Sequence, residues 1–446
     1  MSLNRRGLIA ATAGLGLLGA TQAAAKPAAK SALLAPTPPM GWNSWDSFAT
    51  TITEAQALDV ARIMADKLRP HGYDVFTIDI QWYEGGATGF DYAKHPVPEM
   101  DGYGRLLPAP NRFPSSVNGQ GFKPIADQIH KLGLKFGVHL MRGIPRLAVE
   151  RNLPVLGMHV RAADIADIHS TCPWNPDMYG VDMGKPGAQA YYDSVFALLA
   201  SWGVDFVKMD DMSRPYDAHA PEIEAAHKAI VASGRPIILS LSPGETPVPR
   251  ADHVAKYAQM WRISDDFWDD WPLLKAQFTR LENWNDHRRP GAWPDADMLP
   301  LGKLRLGQSD TRFTRDEQQT LMSLWCMARS PLIMGGDLRS LDAWTLDLLT
   351  NDEVLAINQR SGHNQPHFLA DGWSIWTADA AQKGAHYLAI FNTADKDGTF
   401  RFDLSRLRLK AAKVRDLWAR QDLGIAEDIV TADVPKHGVK LLRLTT

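Results

Sequence analysis

The chain has 446 residues, 45% of them hydrophobic, with 48 Lys and Arg against 51 Asp and Glu, for a formal net charge of -3. So even a balance, without a long basic run, gives no electrostatic support to nucleic-acid binding or to a polybasic membrane role. Only Cys172 and Cys326 occur, which excludes a disulfide-dense scaffold, while the length allows a large core and more than one domain. Residues 1–32 read as an export signal and linker. Asn4-Arg5-Arg6 precedes the apolar run Gly7 to Ala20 and the small residues Ala23-Ala24-Ala25, the charged, apolar and small-residue order of a removed leader. Its paired arginines point to the twin-arginine route. That run is short for a bilayer span, and no later segment reaches about 18 uninterrupted apolar residues. The expectation is a periplasmic or secreted protein with no membrane attachment in its mature form. Gly14 to Gly19 spell a dinucleotide fingerprint, but no strand precedes them and the motif is set aside.

Pro36-Thr37-Pro38-Pro39 marks the passage to the folded body. Thr53 with Gln56 resembles a capping box, and Leu58, Val60, Ile63, Met64 and Leu68 supply an apolar helix face that Gly72 stops. Strand-like runs then recur at Val75–Asp79, Lys135–Leu140, Phe206–Met209 and Ile237–Leu241, separated by helical stretches such as Ala188–Trp202. Alternation over roughly 300 residues predicts a (β/α)8 TIM barrel across residues 36–357. Polar residues gather at the carboxyl ends of these runs: Asp79, His139, Asp210, Ser242, then Asp266 and Asp297. Barrel enzymes build active sites at that face. After Asn358 the texture changes to short alternating strands without helices, which predicts a small C-terminal antiparallel β-sandwich over 358–446.

Two segments carry the chemistry. Trp202 to Asp211 delivers Lys208 and Asp210 to the end of one strand, and alternation puts both on the same side. An ammonium beside a carboxylate favours the ionised acid that a nucleophile requires; a buried structural ion pair is the plainer alternative. The second segment, Trp261 to Trp271, is acidic and tryptophan-rich, which also suits an ordinary helix start. Together the segments offer one ionised carboxylate to attack and one protonated carboxyl to release a leaving oxygen, the requirement of glycoside cleavage. In retaining enzymes these groups stand about 5–5.5 Å apart, which separate barrel strands can hold. Lys208 is expected to keep Asp210 ionised. Crowding by tryptophan and other acids is expected to keep Asp266 protonated.

Pro38 to Trp45, the Asp79 strand end, Trp202 to Asp210, Trp261-Arg262 with Asp266, and Trp293 to Met298 resemble glycoside hydrolase family 27, the α-galactosidase and α-N-acetylgalactosaminidase family. Leu324-Trp325, Ser330 to Met334 and Ala356 to Gln359 extend the likeness to the barrel's end. The resemblance implies a retaining double displacement with Asp210 as nucleophile and Asp266 as acid/base. It selects Asp266 over Asp265, because the acid/base follows the arginine by four positions. Alternation independently selects Asp210 over Asp211. The family's sugar contacts carry over to Trp45, Asp79, Lys208, Arg262 and Asp297, with Trp45 against an apolar sugar face and the rest on hydroxyls. No metal or organic cofactor is implied.

Three departures matter. The chain reads Asp79-Ile80-Gln81-Trp82 where the family usually places two aspartates and then Cys-Trp. The missing carboxylate normally helps bind galactose on its O6 side, and Ile80 fills that corner with hydrocarbon. β-L-Arabinopyranose has the ring configuration of α-D-galactopyranose without the hydroxymethyl arm, so Ile80 favours it, and some members resembling this chain are β-L-arabinopyranosidases. The alternative is that a neighbour replaces the lost acid. His139 stands where tyrosine is common, either to donate to a hydroxyl or to plug the wall. Ser242 stands near a glutamate of many α-galactosidases, and its small size leaves room for an N-acetyl group. Cys172 matches a family disulfide cysteine whose partner position is Met212 here, so it is expected as a free thiol.

The sequence thus predicts an exported, exo-acting retaining glycosidase that removes a terminal galactose-configured sugar from plant-type oligosaccharides or polysaccharides. The alternatives are an ordinary α-galactosidase, an α-N-acetylgalactosaminidase, and a non-catalytic sugar-binding protein. The last has no use for the Asp210 and Asp266 pair. A homo-oligomer is compatible with the sequence, which does not specify one.

Overall fold

In the computed structural model, residues 33–446 are described; the export-signal reading of 1–32 lies outside them. Eight parallel strands form the first sheet: β1 (Met40–Asn43), β2 (Val75–Ile78), β3 (Lys135–Met141), β4 (Phe206–Asp210), β5 (Ile238–Leu241), β6 (Met260–Arg262), β7 (Trp293–Asp295) and β8 (Leu332–Met334). Neighbours follow chain order from β1 to β7, and β8 returns to pair with β1. Just beyond β7, Leu299 makes a parallel bridge to Met334 of β8 and closes the curl into a barrel. These strands are nearly all apolar and buried because helices cover their outer faces.

A helix follows each strand: α1 (Glu54–Lys67), α2 (Lys123–Lys131), α3 (Ala188–Trp202), α4 (Tyr216–Ser233), α5 (Ala251–Tyr257), α6 (Trp271–Trp284), α7 (Arg315–Ala328) and α8 (Asp352–Arg360). Thr53 and Gln56 do form a capping box at α1, burying Val60 and Met64 against the barrel. Thr314 and Glu317 repeat the device at α7. Gly203, with φ of 87°, ends α3 in the left-handed conformation that glycine adopts at no steric cost and turns the chain into β4. The β3–α3 connection carries its own small antiparallel sheet, in which Met178–Val181 pairs with Ile144–Pro145 and with Ala166–Thr171.

From Gly362 the chain is antiparallel throughout. A six-stranded sheet contains Gly362–Ala370, Trp373–Asp379, Ala385–Asn392, Val439–Thr445, Ala411–Asp416 and Gln421–Glu427 in spatial order, with Gly398–Asp403 and Ile429–Val434 paired as a second sheet. Ile375, Leu388, Phe402, Val430 and Leu442 fill the core of this sandwich. It is anchored to the barrel through α7, where His437 Nδ1 lies 2.7 Å from Glu317 and Trp418 Nε1 donates to Ser323 Oγ at 2.9 Å. Among the described residues, no helix is long and apolar enough to cross a membrane, and no group of three or more His, Cys, Asp or Glu is arranged to hold a metal.

Gly41 of β1 pairs with Val75 of β2, and a Cβ there would run into the Val75 carbonyl and side chain. Gly41→Ala should therefore cost about 1–3 kcal/mol through overpacking of the barrel wall. Thermal unfolding checks this: an unchanged midpoint would mean the strand pair has slack that the packing does not show.

Candidate active site

A cavity of about 440 Å³ opens at the carboxyl ends of the strands, lined by Trp45, Asp79, Ile80, Lys208, Asp210 and Asp266. Its floor is an ion pair. Lys208 Nζ donates to Asp79 Oδ2 at 2.9 Å, and their side chains are 13% and 1% exposed. Asn43 Nδ2 donates to the same oxygen at 2.7 Å, and the Ile80 N–H donates to Oδ1 at 2.8 Å. Burial alone would raise the Asp79 carboxyl. Lys208, His139 and these hydrogen bonds outweigh it and bring the group down to about 2. Burial likewise opposes the Lys208 charge, but Asp79, Asp210 and Asp266 hold the ammonium above its ordinary range.

Asp210 ends β4 and faces the cavity. Ser242 Oγ donates to its Oδ1, and His139 Nε2 stands 2.8 Å from its Oδ2. The histidine contact has the distance of an ion pair without the alignment of a hydrogen bond, so the buried ring packs against the carboxylate. Asp211 is committed elsewhere. With φ of 63° it turns away from the strand, and Arg142 Nη2 donates to it at 2.8 Å.

Across the cavity, Arg262 is 2% exposed and ends β6. Its Nη2 lies 2.6 Å from Asp297 and 3.3 Å from Asp266. Burial opposes the guanidinium charge, while Asp297 and Asp266 hold it strongly protonated. Asp297 is buried and has φ of 87°, a left-handed conformation unusual for a residue with a side chain. Its carboxylate accepts the N–H of Phe267 and of Met298, each at 2.7 Å, so it ties the loop bearing Asp266 to the end of β7. Burial pushes Asp297 upward and Arg262 pulls against it.

Five aromatic rings wall the cavity. Trp45 lies edge-on to Phe90 at 5.2 Å and nearly parallel to Tyr92 at 6.4 Å. Phe90 meets Trp268, and Tyr92 meets Trp174. Burial, then the nearby Asp210, holds the Tyr92 phenol far above its ordinary value and so neutral. At the mouth Arg214 pairs with Asp265, linking the loop after Asp210 to the loop before Asp266.

Comparison with known proteins bears on this arrangement. Residues 177–360 match the melibiase family described as alpha galactosidase A, and residues 370–444 match the alpha galactosidase C-terminal beta sandwich domain. The chain is similar to a GH27 β-L-arabinopyranosidase from Geobacillus stearothermophilus solved with arabinose, at 48% identity and a TM-score of 0.90, covering 92% of this chain and 98% of that one. It belongs to glycoside hydrolase family 27. Members of this family are glycosidases. α-Galactosidase A of Cellvibrio japonicus is 28% identical over 97% of this chain and 98% of its own length. α-Galactosidase 2 of Arabidopsis thaliana is 26% identical over 92% and 90%.

Against the family expectation, several residues sit differently from their reading in sequence. Lys208 bonds Asp79 and not Asp210, so its effect on Asp210 is a field from one side while Ser242 and His139 make the contacts. Asp266 is not crowded into a dry pocket: its side chain is 56% exposed beside Arg262. Ser242 is buried with its hydroxyl on Asp210, which leaves Pro243 rather than the serine on the cavity wall. His139 is fully buried behind Asp210 and does not reach a hydroxyl-bearing surface. Asp297 has both oxygens engaged by protein donors. Cys172 and Cys326 are buried thiols, with burial pushing Cys172 up to about 12. Sequence reading did not single out Phe90, Tyr92, Trp174, Arg214 or Trp268. The available signal was aromatics in a polar, glycine-rich loop, Gly85 to Tyr92, and a tryptophan two residues past Asp266.

Asp79→Asn should leave Lys208 without its principal partner and cost about 3 kcal/mol of stability. In the parent the Asp79 carboxyl titrates lower when folded than its ordinary unfolded value of about 3.9, so its stabilisation is present above pH ~4 and drains away toward pH ~2. Unfolding midpoints followed from pH 5 to 2 should fall more steeply in the parent than in the variant; parallel curves would reject the assignment.

Proposed function

We propose that the protein is an exported, exo-acting retaining glycosidase with a preference for β-L-arabinopyranosides, in which Asp210 is the nucleophile and Asp266 the acid/base. The observation that carries this reading is the single cavity shared by Asp210, Asp266 and Ile80. Asp210 attacks the anomeric carbon while the Asp266 carboxyl gives its proton to the departing oxygen, and the glycosidic bond breaks as the glycosyl ester forms. Asp266 then takes a proton from water, whose oxygen displaces Asp210 from the same carbon and restores both groups. Two inversions give net retention.

The sugar preference rests on the floor of the cavity. Asp79, Lys208 and Asn43 form one hydrogen-bonded unit that offers polar contacts to ring hydroxyls. Beside them Ile80 presents hydrocarbon and is 2% exposed. A hydroxymethyl arm set against Ile80 would lose water without gaining a partner, whereas a pentopyranose has no such arm. The arabinopyranosidase likeness at 48% identity supports the same choice. The plainer α-galactosidase reading draws on the curated relatives at 26–28% identity.

On paired nitrophenyl glycosides, kcat/KM should favour β-L-arabinopyranoside over α-D-galactoside, and Ile80→Asp should shift the ratio toward galactoside by roughly 10–100-fold. A parent enzyme that strongly favours galactoside, with Ile80→Asp nearly silent, would end the arabinose reading. Asp210→Ala should lower kcat about 10,000-fold on every active glycoside. Proton NMR of the first-formed sugar should show retained anomeric configuration; an inverted product would reject the double displacement.

A further inference from the structure

We propose that Trp268 is the platform of a second sugar subsite, which holds the first pyranose ring of the leaving group, so that the substrate is a glycosylated oligosaccharide or polysaccharide. This rests on the glycosidase reading above, and in particular on Asp266 as the proton donor.

The cavity grades from a buried floor to an exposed rim. Asp79 and Lys208 are 1% and 13% exposed, whereas Asp266, Asp265 and Arg214 are 56%, 61% and 59%. A single pentose against the floor is covered by Trp45, Ile80 and the ion pair. The volume of about 440 Å³ lies in the range of sites that enclose a much larger ligand. The remaining aromatic surface, Phe90, Tyr92, Trp174 and Trp268, extends beyond that first ring. Trp174 is exposed and Phe90, Tyr92 and Trp268 are half-buried, and the aromatic surface they leave in water gains by having something stacked on it.

Trp268 is also built for one position. The Arg305 guanidinium stands 4.8 Å from its ring centre. Arg305 is itself clamped by Asp269, whose side chain is fully buried and which also accepts the Arg312 N–H at 2.7 Å. The backbone N–H of Arg305 donates to the Asp46 carbonyl at 2.7 Å, which joins this support to the segment carrying Trp45. Phe90 packs edge-on against the indole at 5.9 Å. A ring backed by a cation and an aromatic edge is pre-organised, and a pre-organised platform loses little freedom on binding. Trp268 is two residues beyond Asp266, so a ring bonded to the oxygen that Asp266 protonates falls beside the indole. The aromatic wall faces a rim that carries the Arg214 and Asp265 charges. One apolar face and a polar edge describe a pyranose better than a flat aryl group.

The test compares a β-L-arabinopyranosyl disaccharide with β-L-arabinopyranosyl fluoride, whose leaving group has no ring, with the α-D-galactosyl pair run alongside. Trp268→Ala should lower the disaccharide-to-fluoride ratio of kcat/KM by roughly tenfold. Trp268→Phe should restore most of that ratio, and Arg305→Met should lower it by an intermediate factor while circular dichroism shows a folded protein. Equal losses on disaccharide and fluoride, or an unchanged ratio, would overturn the subsite. Failure of the parent to hydrolyse either fluoride would instead bring down the glycosidase reading, and the subsite with it.

Discussion

Two buried cations hold this site together. Lys208 and Arg262 project from β4 and β6, on either side of β5, at one barrel mouth, and Asp79, Asp210, Asp266 and Asp297 are arranged around them. Without the cations, several carboxylates in so small a volume would repel one another and lose hydration. Burial pushes Asp46 and Asp295 upward, Asp295 to about 7, so not every acid here need carry charge at once. The division is spatial. Asp79 and Asp297 are bound tightly by protein donors and orient their cations, while Asp210 and Asp266 keep a face to the cavity.

That division follows from the barrel. Strand alternation sends Lys208 and Asp210 to one side of β4, and the left-handed turn just past the strand carries Asp211 to the Arg142 network. The closure at Leu299 and Met334 brings β6 and β7 around to face β2 and β4, so residues more than fifty positions apart share one small volume. The strands supply rigid positions for charge, and the loops supply the aromatic wall. Asp297 shows the coupling between them: a strained residue past β7 accepts the Phe267 N–H and so fixes the loop that carries Asp266.

The same contrast explains which functional residues are visible in a linear reading. Asp79, Lys208, Asp210, Arg262 and Asp297 stand at or just beyond strand ends, where an apolar run stopping at a charge is conspicuous. Phe90, Tyr92 and Trp174 lie in long connections without periodicity, and nothing local says that their rings converge. Partner choice was equally hidden. A K-x-D pair suggested mutual contact, yet Lys208 reaches past β3 to Asp79 at the end of β2, 129 positions away.

Alternating apolar strands and capped helices, then strands alone, were sufficient to establish a barrel followed by a sandwich, because side-chain periodicity and capping are local properties of the chain. The motif pattern also pointed to a family 27 glycosidase and to the two aspartates. Tertiary structure alone decided that Ser242 and His139 contact Asp210, that Asp266 is left exposed at the rim, and that five aromatics form one wall. Those outcomes depend on distances between segments remote in sequence, and such distances exist only once the eight strands have closed on one another.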